Sequence, residues 1–250
     1  MLELLSDTRV DLAGSGARLG EGLFETLRVR DGRPRCLGAH LERLAAGARF
    51  LGLEPPPAPE TVLAFLEERR VCCRLASGVL RLVAVDRALV AFARPWNPRR
   101  PRRVAVDLAQ ALRRFSGSPL NRYKTLSGLE NRLLAREATA RGLFEVIAAN
   151  EAGRLADGSR TTLFAVLDGR LVTPPAADGA LPGVARRHLL EAGLAAEAPL
   201  GPRDLEGAEA LLLTNALQGA VPVHRGPGGR ALAADHPLLA RAAALLRDRA

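Results

Sequence analysis

The pattern of apolar and polar positions reads first as a β-hairpin. In GLFETLRVRDGRPRCLG, residues 22–38, two extended runs flank Asp31-Gly32, a dipeptide that favours a tight hairpin turn. A helix is expected at about 39–52, with Leu41, Leu44, Ala45, Ala48 and Leu51 on one face and Gly52 near its end. Pro55-Pro56-Pro57 breaks the chain, and a second helix is expected from about 59 to 75, with Pro59 tolerated in its first turn. The runs 78–85, 88–94 and 103–109 read as strands. A connector at 110–122 holds Ser116-Gly117-Ser118-Pro119. Beyond it a helix from about 125 to 141 is predicted by Leu126, Leu129, Leu133 and Leu134, with Gly142 at its C-terminal side. The pattern then turns to antiparallel strands, with turns at Glu151…Gly153 and Asp168-Gly169. A loop leads into a helix over 181–193, a buried strand follows in 209–223, and a last helix spans about 235–249. The expected organisation is α/β: a small N-terminal subdomain over 1–109, a linker at 110–122 and a larger subdomain over 123–250.

Composition narrows the class. A hydrophobic fraction of 48% over 250 residues supports a sizeable core. No run approaches a membrane span, and the first residues, MLELLSDTRVDL, lack the basic start of a secretory signal. A cytoplasmic protein without a membrane partner is therefore expected. Three cysteines, two of them adjacent, make a poor disulfide framework, and no Cys/His spacing resembles a zinc site, so no metal is expected. A net charge of +9 and the run RRPRR at 99–103 raise nucleic acid as a partner. An aromatic content of 4% leaves few rings to stack on bases. The reading favoured is a solvated arginine-rich surface whose field attracts small anions, with no nucleic-acid partner.

One residue changes the picture. Lys+Arg total 36, and Lys124 is the one lysine among them. Guanidinium does not deprotonate in proteins, whereas an ammonium shifts its pKa readily, so arginine cannot stand in where a nucleophilic amine is needed. A compositional bias would also empty lysine from a chain without regard to function. The residues around Lys124 decide between the two readings.

Four blocks along residues 20–225 resemble, in order, the class IV aminotransferases, fold-type IV enzymes that use pyridoxal 5′-phosphate (PLP). They are GEGLFETLRVRDGRP followed by HLERL; Lys124 at the start of a helix, ahead of Gly142–Glu145; LADGSRTTLFAVLDGRLVTPP followed by LPGVAR; and TNALQGAVPV. The resemblance implies two α/β subdomains with the active site between them, and a homodimer. It implies that Lys124 forms the Schiff base with PLP and shuttles a proton. Arg43 would clamp the phosphate, with backbone amides of Val184-Ala185 at a helix N-terminus and of Thr214-Asn215 adding to the hold. Asp157 stands where the family carries glutamate and would hold the pyridine nitrogen protonated. It is one methylene shorter, and Thr161-Thr162 replaces a usual Ser-Asn.

Within the family, TNALQGAVPV and KTLSGLEN are closer to 4-amino-4-deoxychorismate lyases than to branched-chain aminotransferases. That likeness implies elimination of pyruvate from aminodeoxychorismate to give 4-aminobenzoate for folate synthesis. The substrate is a small anion with two carboxylates, for which Arg28 and Arg113 or Arg114 are candidate partners, and Thr26 a candidate pocket hydroxyl. Two other readings stand beside it. One is an aminotransferase acting on branched-chain or D-amino acids with 2-oxoglutarate. The other is a non-catalytic cofactor- or nucleic-acid-binding protein, against which the retained Lys124 argues.

Overall fold

Strand pleating organises the first part of the chain. In the computed structural model, which describes residues 1–6, 14–97 and 104–249, the described residues of Met1–Pro98 and Tyr123–Gly128 form one compact unit. Its elements are β1 (Glu3–Leu5), α1 (Ser15–Leu19), β2 (Gly22–Arg30), β3 (Arg33–Pro34), α2 (Leu37–Leu51), α3 (Pro59–Glu68), β4 (Ser77–Val85) and β5 (Ala88–Pro95). The strands lie in the order β1-β5-β4-β2-β3, antiparallel except for β1 beside β5. Successive side chains of a strand point to opposite faces. Leu23, Leu27 and Val29 of β2 are accordingly buried, while Phe24, Thr26 and Arg28 are partly open. Leu37, Leu41, Leu44 and Ala48 of α2 close over the buried face together with Leu80, Leu82 and Leu89. Gly47 permits the close approach, since a Cβ there would lie 2.7 Å from Leu23 Cδ2.

The described residues of Arg99–Arg122 and Leu129–Arg249 form the second unit. It contains β6 (Val106–Leu108), α4 (Leu129–Ala140), β7 (Glu145–Ala149), β8 (Leu155–Gly158), β9 (Thr162–Leu167), β10 (Arg170–Thr173), α5 (Val184–Glu191), β11 (Ala196–Glu197), α6 (Pro202–Gly207), β12 (Ala210–Asn215), β13 (Gly219–Pro222) and α7 (Pro237–Arg249). One sheet runs β11-β10-β9-β12-β13 and a smaller one β6-β7-β8. Strands β7, β8, β9 and β12 carry apolar side chains on both faces and are nearly wholly buried, with Glu145, Asp157, Thr162 and Thr214 as buried polar residues. Leu163 and Leu213 face one core with Ile147, Leu155 and Leu205. Phe164 and Leu212 face another with Leu189, Leu239 and Leu246.

Helices and sheets mix in both units, as the α/β reading expects, but several boundaries differ. The sequence pattern places the linker at 110–122, with residue 123 opening the second part. The structure instead groups 123–128 with the first unit, and the strand expected at 103–109 pairs as β6 with β7 in the second. The helix expected over 125–141 begins only at Leu129, so Lys124 is not helical. The helix expected over 59–75 ends at Glu68. There Arg70 takes φ 51°, and Val71 N–H returns to Leu66 C=O at 2.9 Å, a left-handed C-terminal turn formed without glycine. The basic run at 99–103 lies outside the described residues. Among the described residues no helix is long and apolar enough to cross a membrane.

Candidate active site

Lys124 sits on an extended segment that completes the first sheet. The side of β2 near its start has no strand partner from β3, which meets only Val29 and Arg30. Residues 124–126 fill it. Phe24 N–H donates to Lys124 C=O and Leu126 N–H to Gly22 C=O, both at 2.9 Å, with a bridge at Leu23 and Thr125. The Lys124 Nζ lies 4.3 Å from the centre of the Phe24 ring. Arg81 of β4, cross-strand partner of Thr26, rests on the same ring with its Cζ at 4.9 Å. Arg28 lies over Trp96 at 5.8 Å. Thus the partly open face of β2 carries the sequence candidates Thr26 and Arg28, with Arg81, not a candidate from sequence, beside them. Tyr123 stacks on Phe50 at 4.5 Å and belongs to the packing of this unit.

Arg43 lies on the other face of β2. Its Nε and Nη2 donate to Glu25 Oε1 and Oε2, each at 2.7 Å, a bidentate charge-assisted pair. His40 Nδ1 is 2.7 Å from Glu25 Oε2. Burial alone would push the Glu25 carboxyl up. Arg43 and His40 outweigh it and hold Glu25 at about 2. Glu25 and His40 were not singled out from the sequence. The signal was there: the pleat puts Glu25 in line with Leu23, Leu27 and Val29, and the helical repeat puts His40 beside Leu37, Leu41 and Leu44, all buried positions.

In the second unit Asp157 is the next-to-last residue of β8 and is buried. Its Oδ1 accepts Arg114 Nη2 at 3.1 Å and its Oδ2 accepts Leu181 N–H at 3.0 Å. Burial pushes this carboxyl up, with the Arg114 guanidinium and the Leu181 amide pulling it back and the nearby Glu145 adding to the rise. Glu145 of β7 accepts from Thr161 Oγ1 at 3.0 Å. Arg114 also donates to Glu130 and Asn131 of α4, whereas Arg113 is exposed.

A second feature of this unit suits an anion. Thr162 and Thr214 are paired across β9 and β12, and a Cβ on Gly183 would lie 3.0 Å from Thr162 Oγ1. Gly183 is the N-cap of α5 and supplies no side-chain cap. The amides of Val184 and Ala185 are first-turn donors without an intrahelical acceptor. Thr214 Oγ1 is buried and has no hydrogen-bond partner among the described residues, a cost that an acceptor arriving there would remove. The Asn215 side chain is spent on its own turn, its Oδ1 accepting Leu217 and Gln218 N–H at 3.0 and 2.8 Å. Only backbone is left to Asn215 for the expected role. Two buried hydroxyls and a helix N-terminus fit a phosphate, and a buried acid fits a protonated ring nitrogen.

Comparison with known proteins agrees with this chemistry. The family model for amino-transferase class IV matches residues 22–225. A curated bifunctional aminodeoxychorismate lyase / D-amino acid transaminase of Mycobacterium tuberculosis is 30% identical, over 84% of this chain and 83% of its own length. A hypothetical aminotransferase from Mycobacterium tuberculosis, solved in PLP-bound form, superposes with a TM-score of 0.82 at 26% identity, covering 97% of this chain and 93% of that one. The branched-chain aminotransferase of Thermoproteus uzoniensis, solved with norvaline, shares the fold with a TM-score of 0.85 at 24% identity over 96% and 89%. This chain belongs to the class IV aminotransferase family and is an enzyme whose cofactor is pyridoxal 5′-phosphate.

Proposed function

We propose that this enzyme is a lyase that converts 4-amino-4-deoxychorismate into 4-aminobenzoate and pyruvate, supplying folate synthesis. The observation that carries the reading is the setting of Lys124. Its amine shares one aromatic ring with Arg81, on a sheet face that also presents Thr26 and Arg28. A cationic face around the one lysine amine suits a small substrate with two carboxylates. The relative that is 30% identical bears the lyase name, which supports the same choice.

PLP, when bound, supplies an electron sink for charge developing at the carbon next to the substrate amine. Lys124 would hold the cofactor through its amine, and as the free amine would take the proton from the ring carbon that bears the substrate's amino group. The electron pair left behind aromatises the ring as the C–O bond to the enolpyruvyl group breaks, and that group leaves as pyruvate on gaining a proton. Asp157 holds the ring nitrogen protonated. Arg43, the amides of Val184 and Ala185, and Thr214 with the Asn215 backbone hold the phosphate. Arg28 and Thr26 receive the substrate, and Arg113 remains a candidate for its second carboxylate. The enzyme acts as a homodimer in the cytoplasm.

The test is direct. PLP-loaded protein mixed with 4-amino-4-deoxychorismate should release fluorescent 4-aminobenzoate and pyruvate in equal amounts, and Lys124→Ala should release neither. A second reading has its own support, since the same relative is also named a D-amino acid transaminase. If amino groups move from a D-amino acid to 2-oxoglutarate and no 4-aminobenzoate forms, the transaminase replaces the lyase.

A further inference from the structure

Arg114 entered as a candidate for a substrate carboxylate, and its surroundings argue otherwise. Its backbone N–H donates to Ala149 C=O at 2.9 Å, and it bridges to Asn150 at the end of β7. Its guanidinium is buried and engaged in three directions: Nη1 donates to Glu130 at 3.1 Å, and Nη2 to Asn131 and to Asp157. Nε has no partner among the described residues, but both Nη2 hydrogens are taken by Asn131 and Asp157, so neither fork of the guanidinium is left whole for an incoming carboxylate.

We propose that Arg114 is the positioning residue for Asp157, holding that carboxylate ionised and aimed so that Asp157 can bind the cofactor's ring nitrogen. The proposal rests on the role given to Asp157 above. A buried carboxylate favours its neutral form unless charge or hydrogen bonds compensate. Around Asp157, β7 contributes a second acid, Glu145, which works against ionisation. Leu181 contributes one amide and Arg114 the cation. The carboxylate has about four acceptor sites on its two oxygens, and the bonds to Leu181 and Arg114 use two. A ring N–H can therefore add to them without displacing either. Asn131 and Glu130 in turn fix the guanidinium from the first turn of α4, the helix that follows Lys124 in sequence.

The experiment compares dissociation constants for PLP and for its analogue with carbon in place of the ring nitrogen. The wild type should prefer PLP. Arg114→Gln should narrow that preference about tenfold, the scale of one charge-assisted hydrogen bond, and leave the analogue's affinity within about twofold of wild type. Asn131→Ala, at an exposed position, should keep the urea midpoint near wild type and narrow the preference about threefold by loosening Arg114 alone. Equal weakening of both ligands, or an unchanged preference in these variants, would overturn the proposal. Asp157→Asn separates the two levels. If it leaves the preference intact, the role of Asp157 itself fails. If it abolishes the preference while the Arg114 and Asn131 variants keep it, only the inference about Arg114 fails.

Discussion

Glu25 sits in an environment that its residue type does not suggest. An acid on the core side of a strand is costly unless paired, and here Arg43 and His40 both meet it. Its folded pKa of about 2 lies below the usual carboxylate value of 4.5. The sign follows: the pairing stabilises the fold fully above the usual value, and that stability is lost as pH falls from about 4.5 toward 2. At pH 7, Glu25→Gln removes the buried carboxylate that half-buried Arg43 and buried His40 meet, and should cost on the order of 3 kcal/mol. Urea unfolding of the PLP-free protein at pH 7 and at pH 3 checks this. The gap between variant and wild type should shrink at the lower pH, and an equal gap at both would show that ionic pairing is not the cause. Lys124, Arg43 and Asp157 stand out as candidates in the sequence because residue type and motif order mark them. Glu25 and His40 were passed over because no motif spacing marks a polar residue at an apolar position. Only the pleat of β2 and the turn of α2, read together, do so.

Among elements, the strands were read well and the helix ends less so. Asp31-Gly32 makes its turn and the runs after 142 form β7 to β10, since alternation and turn residues act locally. The helix expected from 125 failed because Leu126 fits the helical repeat yet packs against Gly22, where a Cβ would meet Leu126 Cδ1 at 2.7 Å. In α4 the spacing also misled. Leu129 and Leu133 are exposed, and Leu134 and Ala138 are the buried positions. Close approach without a positive φ is equally invisible in sequence, and Gly158 shows what it does. Added to Gly158, a Cβ would stand 2.5 and 2.6 Å from Glu145 Cγ and Cδ and 2.7 Å from Thr161 Oγ1. Glu145 is fully buried and bonded to Thr161, so it has little room to yield. Gly158→Ala gains at most about 1 kcal/mol from a stiffer unfolded chain, and the overpacking should cost about 1–3 kcal/mol. The urea midpoint should fall, and PLP should dissociate faster because Asp157 is the adjoining residue. A midpoint at or above wild type would mean that β7 and β8 part freely, against the packing described.

At the scale of the molecule, the chain crosses between its two units more than once: of the described residues, 104–122 belong to the second, 123–128 to the first, and 129–249 to the second again. Local pattern could not show this, because 124–126 find their partner in β2, far upstream in the sequence. Composition, in contrast, was informative at this scale. With cationic side chains given over to arginine, the chain has only two primary amines, the Met1 terminus and Lys124. The Met1 ammonium is exposed and 2.7 Å from Glu54, while Lys124 is half-buried beside Phe24. An amine-acylating reagent should therefore add two groups to the PLP-free protein, the terminus reacting first, and one group to the PLP-loaded protein. The intact mass reads the number, and peptide masses locate the protected amine. Protection at Lys124 follows from a covalent hold on the cofactor, since an occupied amine cannot attack the reagent. Protection at Met1 instead, or none at all, would remove Lys124 from the chemistry. With no other amine in the chain, the mechanism proposed here could not survive that result.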